Sequence, residues 1–179
     1  GLFNFMFKKI MILIIALVCL LSVSTISATD TNNTDNSVVA VADAGTFAVL
    51  QEKINTATSG STIYLENNYT QTGSSVIAIN KDLTIDGKGY TIDAQGKSRI
   101  FYINNGVTVT LKNITLINGN ANQGGAIYVT GNSKLIVNSS SFTNNYVSDT
   151  GGAIYITSNV KLQVHNSNFT KNSAYWNGG

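Results

Sequence analysis

The sequence predicts an all-β fold: a right-handed parallel β-helix of about 26–27 residues per coil, with three strands per coil and a short N-terminal capping helix. Three observations carry that expectation. First, Gly124-Gly125-Ala126-Ile127-Tyr128-Val129 returns 27 residues later as Gly151-Gly152-Ala153-Ile154-Tyr155-Ile156, and Gly178-Gly179 follows after another 27. A fixed period of this size marks a stacked repeat. Second, each period holds three short apolar runs and no helical segment. Third, the chain is polar without being charged: 11% of its 179 residues are charged and none is proline. That mixture suits a β-rich surface of hydroxyl and amide groups.

Taken in order, the chain opens on an export signal. Lys8 and Lys9 precede an apolar run from Ile10 to Leu21, and Ser22 to Ala28 is small and polar enough for cleavage after Ala28, with Met6 as the natural start; the run is short for a membrane span, and an uncleaved anchor is the alternative. The formal charge of +2 resides in those two lysines, since without them nine basic side chains face nine acidic ones. A neutral mature chain with one arginine has no footprint for nucleic acid. The only cysteine, Cys19, lies in the leader, so the exported protein must be held by packing and backbone pairing. Residues 29–45 show no sustained periodicity and read as a linker.

The β-helix proper is expected over residues 46–179. Thr46 is placed to cap a helix over about 46–58, with Phe47, Leu50, Ile54 and Ala57 on one face and Gly60 as the stop. This helix should close the first open end of the stack, where an uncovered coil would present its apolar face to water. A surface helix packed elsewhere is the alternative.

The period traces backwards from the clear repeats. Ile127 and Val129 correspond to Phe101 and Ile103, then to Ile77 and Ile79; Leu135 and Val137 to Val109 and Leu111, then to Leu83 and Ile85; Phe142 to Leu116, then to Tyr90. A propeller blade needs about 40 residues, so three strands in this length call for a coil. Stacked coils pair each strand in parallel with its copies about 4.8 Å away, and the hand follows the usual preference of parallel crossovers. Five or six inward side chains per coil cannot offset the entropy of ordering some 26 residues. A lone coil should therefore not fold, whereas the stack should. Three residues after the aromatic column stand Asp93, Gly119, Asn145 and Asn172, types that tolerate a left-handed corner and whose amides can bond coil to coil.

These residues resemble a known repeat. GGAI at Gly124 and Gly151, with F-x-x-N at Phe142 and Phe169, is similar to the repeat of polymorphic outer-membrane proteins and of the large adhesin-like surface proteins of methanogenic archaea. LTIDGKGYTIDAQGKSRIFYI, from Leu83 to Ile103, and FAVLQEKINTATSGSTIYLENNYT upstream resemble the N-terminal part of those adhesin-like chains. The resemblance covers roughly 46–179. It implies a secreted, surface-displayed β-helix of the pectate-lyase-like fold, associated with the cell envelope, with no cofactor. Those proteins are longer and end in an anchor, so the chain is expected to be a fragment lacking its C-terminal coils.

Chemistry is sparse. A glycosidase needs clustered carboxylates, and a lyase needs acidic calcium ligands with a nearby base. Beyond the helix the acids are Glu66, Asp82, Asp86, Asp93 and Asp149; only the loop carrying Asp82 and Asp86 brings two together, and Asp86 and Asp93 read as turn residues. Lys97 and Arg99 read as isolated, and His165 stacks with Lys112 and Asn138. One histidine and no mature cysteine cannot build a transition-metal site or activate a serine, so no catalytic or metal residue is assigned. The candidate ligand-binding residues are Tyr102, Tyr128 and Tyr155, which should face outward one above another as a platform for sugar rings or for a partner's apolar surface; stabilisation of the sheet face by ring contact is the alternative. Asn32, Asn68, Asn113, Asn138 and Asn168 each begin an N-x-Ser/Thr triplet and are candidate glycan acceptors. The leading reading is a non-catalytic, adhesin-like cell-surface protein whose partners are cell-surface glycans or surface proteins of other cells. The alternatives are a polysaccharide lyase or glycoside hydrolase whose active coils lie elsewhere, and a purely structural envelope protein.

Overall fold

The computed structural model describes residues 44–178. The expected export signal, most of the expected linker, Cys19 and Asn32 lie outside the described residues.

Helix α1 (Phe47–Thr56) begins where the sequence places it. The Thr46 hydroxyl accepts from the Val49 N–H at 3.3 Å, which satisfies one of the orphan donors of the first turn. The helix ends earlier than expected: Ala57, already extended, is the C-cap, and Gly60 instead turns the chain into the first strand, its N–H donating to the Asp82 carbonyl at 2.6 Å. Phe47, Leu50 and Ile54 are buried in the core, with Ala57 packed against it. The helix also covers a sheet edge, because the Gln51 side chain accepts from the Ala78 N–H and donates to the Ala78 carbonyl, at 2.7 and 3.1 Å. Just before the helix, the Gly45 carbonyl accepts from the Thr70 N–H at 2.7 Å.

Beyond the helix the chain is a parallel β-solenoid of about four turns. One sheet stacks β1 (Thr62–Tyr64), β4 (Leu83–Asp86), β7 (Thr108–Lys112), β11 (Lys134–Asn138) and β15 (Lys161–His165). A second stacks β3 (Ile77–Ile79), β6 (Phe101–Ile103), β10 (Ile127–Val129) and β14 (Ile154–Ile156). A third stacks β2 (Tyr69–Thr70), β5 (Thr91–Asp93), β8 (Thr115–Ile117), β12 (Ser141–Thr143) and β16 (Asn168–Thr170). The repeats sit in register: Ile127 pairs with Phe101 and Ile154, Leu135 with Val109 and Leu162, and Phe142 with Leu116 and Phe169. Ile127, Val129, Leu135, Val137 and Phe142 are all fully buried. The Phe142 and Phe169 rings stack at 4.6 Å, 4° from parallel.

Two expectations are corrected. The aromatic column continues from Leu116 to Ile92, not Tyr90: Ile92 is fully buried and Tyr90 is exposed. Four residues, Gly87 to Tyr90, separate β4 from β5, while two separate β7 from β8, and this longer turn shifts the register by two. The later coils also carry a fourth strand, forming a sheet of β9 (Asn120–Gln123), β13 (Tyr146–Thr150) and β17 (Ser173–Ala174). Val147 is the one fully buried apolar side chain of β13, so the alternation that betrays the other strands is missing.

The corners divide two tasks that the sequence assigns to one column. The left-handed residues are Asn118, Asn144 and Lys171, one position before Gly119, Asn145 and Asn172. Asn145 and Asn172 instead build an inward amide ladder. The Asn145 Oδ1 accepts from the Gly119 N–H at 2.8 Å, its Nδ2 donates to Asn172 Oδ1 at 2.8 Å and to the Leu116 carbonyl at 3.2 Å, and Asn172 Nδ2 donates to the Phe142 carbonyl at 2.9 Å. Asn145 is 0% exposed, so its three side-chain bonds replace lost water. Asp93 falls out of this column and pairs with Ile117.

Candidate functional site

Tyr102, Tyr128 and Tyr155 are the central residues of β6, β10 and β14. In β6 and β10 the flanking residues Phe101, Ile103, Ile127 and Val129 are buried, so strand alternation turns Tyr102 and Tyr128 outward, and the pairing of β10 with β14 gives Tyr155 the same orientation. The strand register sets them one above another. Ring centroids lie 5.7 Å apart from Tyr102 to Tyr128 and 5.3 Å from Tyr128 to Tyr155, with planes 24° and 27° from parallel.

The rings are half-buried rather than fully exposed, because their surroundings pack against them. Arg99 is not isolated: its guanidinium lies 4.8 Å from the Tyr128 ring centroid. Its Nε donates to the Gly124 and Gln123 carbonyls at 2.9 and 3.2 Å, and a terminal nitrogen donates to the Gln123 carbonyl as well. Burial pulls this guanidinium below the ordinary arginine value, an effect the neighbouring Tyr128 and Tyr102 oppose. Gln123 is fixed in turn by donating to Asp149 Oδ2 at 2.9 Å.

The Gly-Gly pair explains how this face fits together. Gly124 has φ +60°, and a Cβ there would lie 2.2 Å from the Ile127 carbonyl oxygen and 3.1 Å from Tyr155 Cβ. A Cβ on Gly125 would lie 2.5 Å from the Gly152 carbonyl oxygen of the next coil. The pair thus lets the chain turn sharply beside the tyrosines while coils stack at strand spacing.

The acids beyond the helix serve structure. Asp86 is buried; it accepts from the Lys88 N–H at 3.1 Å and from Asn113 Nδ2 at 3.2 Å, with the Lys112 and Lys88 ammonium groups 3.4 and 3.7 Å away. Burial alone would push its carboxyl up, but these donors and charges outweigh it and hold the group below its ordinary value. Asp82 accepts from the Thr108 N–H, Asp93 from the Gln95 N–H and Asn118, and Glu66 pairs with Lys53. Lys97 donates to the Gln71 carbonyl at 3.2 Å, so it too is engaged. His165 lies exposed beside Asn138, which separates it from Lys112. Among the described residues no group of three His, Cys, Asp or Glu side chains is placed to hold a metal ion.

The glycan-acceptor triplets differ in access. Asn68, Asn113 and Asn168 are exposed, whereas Asn138 is half-buried within β11. Asn68 accepts from the Thr91 N–H and Asn113 donates to Asp86, which leaves Asn168 the least engaged. Among the described residues no helix is long and apolar enough to cross a membrane.

Residues 139–157 match the Chlamydia polymorphic membrane protein repeat. The matched stretch runs from the turn before β12 through Phe142, Asn145 and the fourth-sheet strand to Gly151-Gly152-Ala153-Ile154, so it contains both motif halves within one coil. No curated protein and no solved structure matches the chain.

Proposed function

We propose that the chain is an exported, surface-displayed β-solenoid of adhesin type, non-catalytic, whose Tyr102–Tyr128–Tyr155 column contacts glycans or the surface proteins of other cells. The observation that carries this reading is the outward ring stack at 5.3–5.7 Å. Rings at that spacing give a continuous amphipathic strip, apolar along its length with a hydroxyl on each ring. Arg99 supplies a cation beside the middle ring, Tyr128. The repeat match at 139–157 supports surface display, since the matched repeat belongs to membrane proteins. The finer likeness to adhesin-like proteins of methanogenic archaea, and to the pectate-lyase-like β-helix, belongs to the same reading.

Replacing Tyr102, Tyr128 and Tyr155 together with Ser tests it. Ring pairs on a sheet contribute roughly 0.2–1 kcal/mol each, so the variant should keep its far-UV circular dichroism. Adhesion to intact cells should fall sharply. A folded triple variant that binds as the parent does would remove the column from the account.

A further inference from the structure

The fourth sheet creates a groove that the three-strand reading of the sequence could not foresee. Where the third sheet turns into the fourth, Asp93, Gln95, Asn118, Asn144 and Tyr146 line an open cavity of about 410 Å³. That volume lies within the range of small-molecule sites, roughly 300–1,000 Å³. We propose that this groove binds a neutral glycan, with Tyr146 as the stacking face and the surrounding amides and carboxylate as partners for sugar hydroxyls.

Tyr146 is the residue that singles the groove out. It opens β13, in register with Asn120 below and Ser173 above, and it is 45% exposed. A phenol ring lined by amides and a carboxylate offers a face that suits the C–H face of a pyranose. The polar groups around it are held in place before any ligand arrives. Asp93 Oδ1 accepts from the Gln95 N–H at 2.7 Å and from Asn118 Nδ2 at 2.9 Å, which fixes the carboxylate and leaves Oδ2 free to accept from a hydroxyl. The same bond fixes Asn118 with its carbonyl oxygen still unused. The side-chain amides of Gln95 and Asn144 make no hydrogen bond among the described residues, so each offers a donor and an acceptor.

The charge selects the class of sugar. Among the described residues Asp93 is the one charged side chain lining the groove, so an acidic polysaccharide would meet repulsion there while a neutral one would not. The proposal lies on a different face from the tyrosine column, and it rests on the surface-binding reading only for where the glycan is met.

Titration calorimetry with cellohexaose, mannohexaose and chitohexaose, and with a hexagalacturonate as the acidic control, tests this on the full chain. At least one neutral hexasaccharide should bind the parent and the triple tyrosine-to-serine variant alike. Tyr146→Ala should weaken it at least tenfold, Tyr146→Phe should restore it, and the hexagalacturonate should bind more weakly. Absence of binding by all three neutral sugars, or equal binding by folded Tyr146→Ala, would overturn the proposal. Binding lost only in the triple variant would overturn it too, while leaving the tyrosine column standing.

Discussion

Ser133 is a polar residue in an apolar column. The Lys134 N–H donates to the Val107 carbonyl and the Lys161 N–H to the Ser133 carbonyl, which places Ser133 between Val107 and Val160 in adjacent coils. Its hydroxyl is buried and has no hydrogen-bond partner among the described residues. A buried hydroxyl left unpaired costs about 1–3 kcal/mol, so Ser133→Val, which extends the valine column, should raise the unfolding free energy by about that amount in urea denaturation. Asp86 makes the opposite case, a buried polar group fully supplied with donors. Its folded carboxyl titrates below the ordinary value of about 3.9, so its stabilisation is complete above that pH and is lost as pH falls through the folded value. Thermal melts should show stability declining below about pH 4, and Asp86→Asn should flatten that decline while lowering stability at neutral pH. Neither behaviour was legible in the sequence. The valine column needs coil-to-coil register to be seen, and the donors to Asp86 come from residues 88, 112 and 113.

At the scale of elements, α1 and the strands of three sheets were legible because their apolar residues keep a strict period and their ends carry capping or turn residues. The register slipped at Tyr90 because a turn of unequal length leaves no mark on composition. The fourth sheet escaped because a strand such as Asn120–Gln123 has no apolar face to bury. The tyrosine column was found from alternation alone, but Arg99 was not, since its partners are the Gln123 and Gly124 carbonyls of the next coil. The Gly-Gly corner gives the sharpest element-scale prediction. Gly125→Ala would press a methyl group to 2.5 Å from one backbone oxygen and 3.0 Å from another, neither of which belongs to a flexible side chain. It should cost about 1–3 kcal/mol or more. Gly73→Ala, where the nearest atom is 4.0 Å away, should stay within about 0.5 kcal/mol.

At the scale of the whole solenoid, side chains gain burial only from the coils on either side. Phe142, between two coils, is 0% exposed, whereas its stacked partner Phe169, in the last described coil, is 43% exposed. The same stacking that seals the core lines up the tyrosines outside it and aligns the amides at the corners, so the candidate surfaces depend on one register. Paired cysteines test that register most directly. Ile136 and Gln163 are outward partners on β11 and β15, with Cα atoms expected about 4.8 Å apart, inside the range a disulfide spans. Ile136 and His165 are offset by two residues along the strand, which puts them about 8 Å apart, beyond that range. In a Cys19→Ser background, Ile136→Cys with Gln163→Cys should close a disulfide under mild oxidation, and Ile136→Cys with His165→Cys should stay open. Failure of the first pair to close, or equal closure of both, would contradict the stacked register.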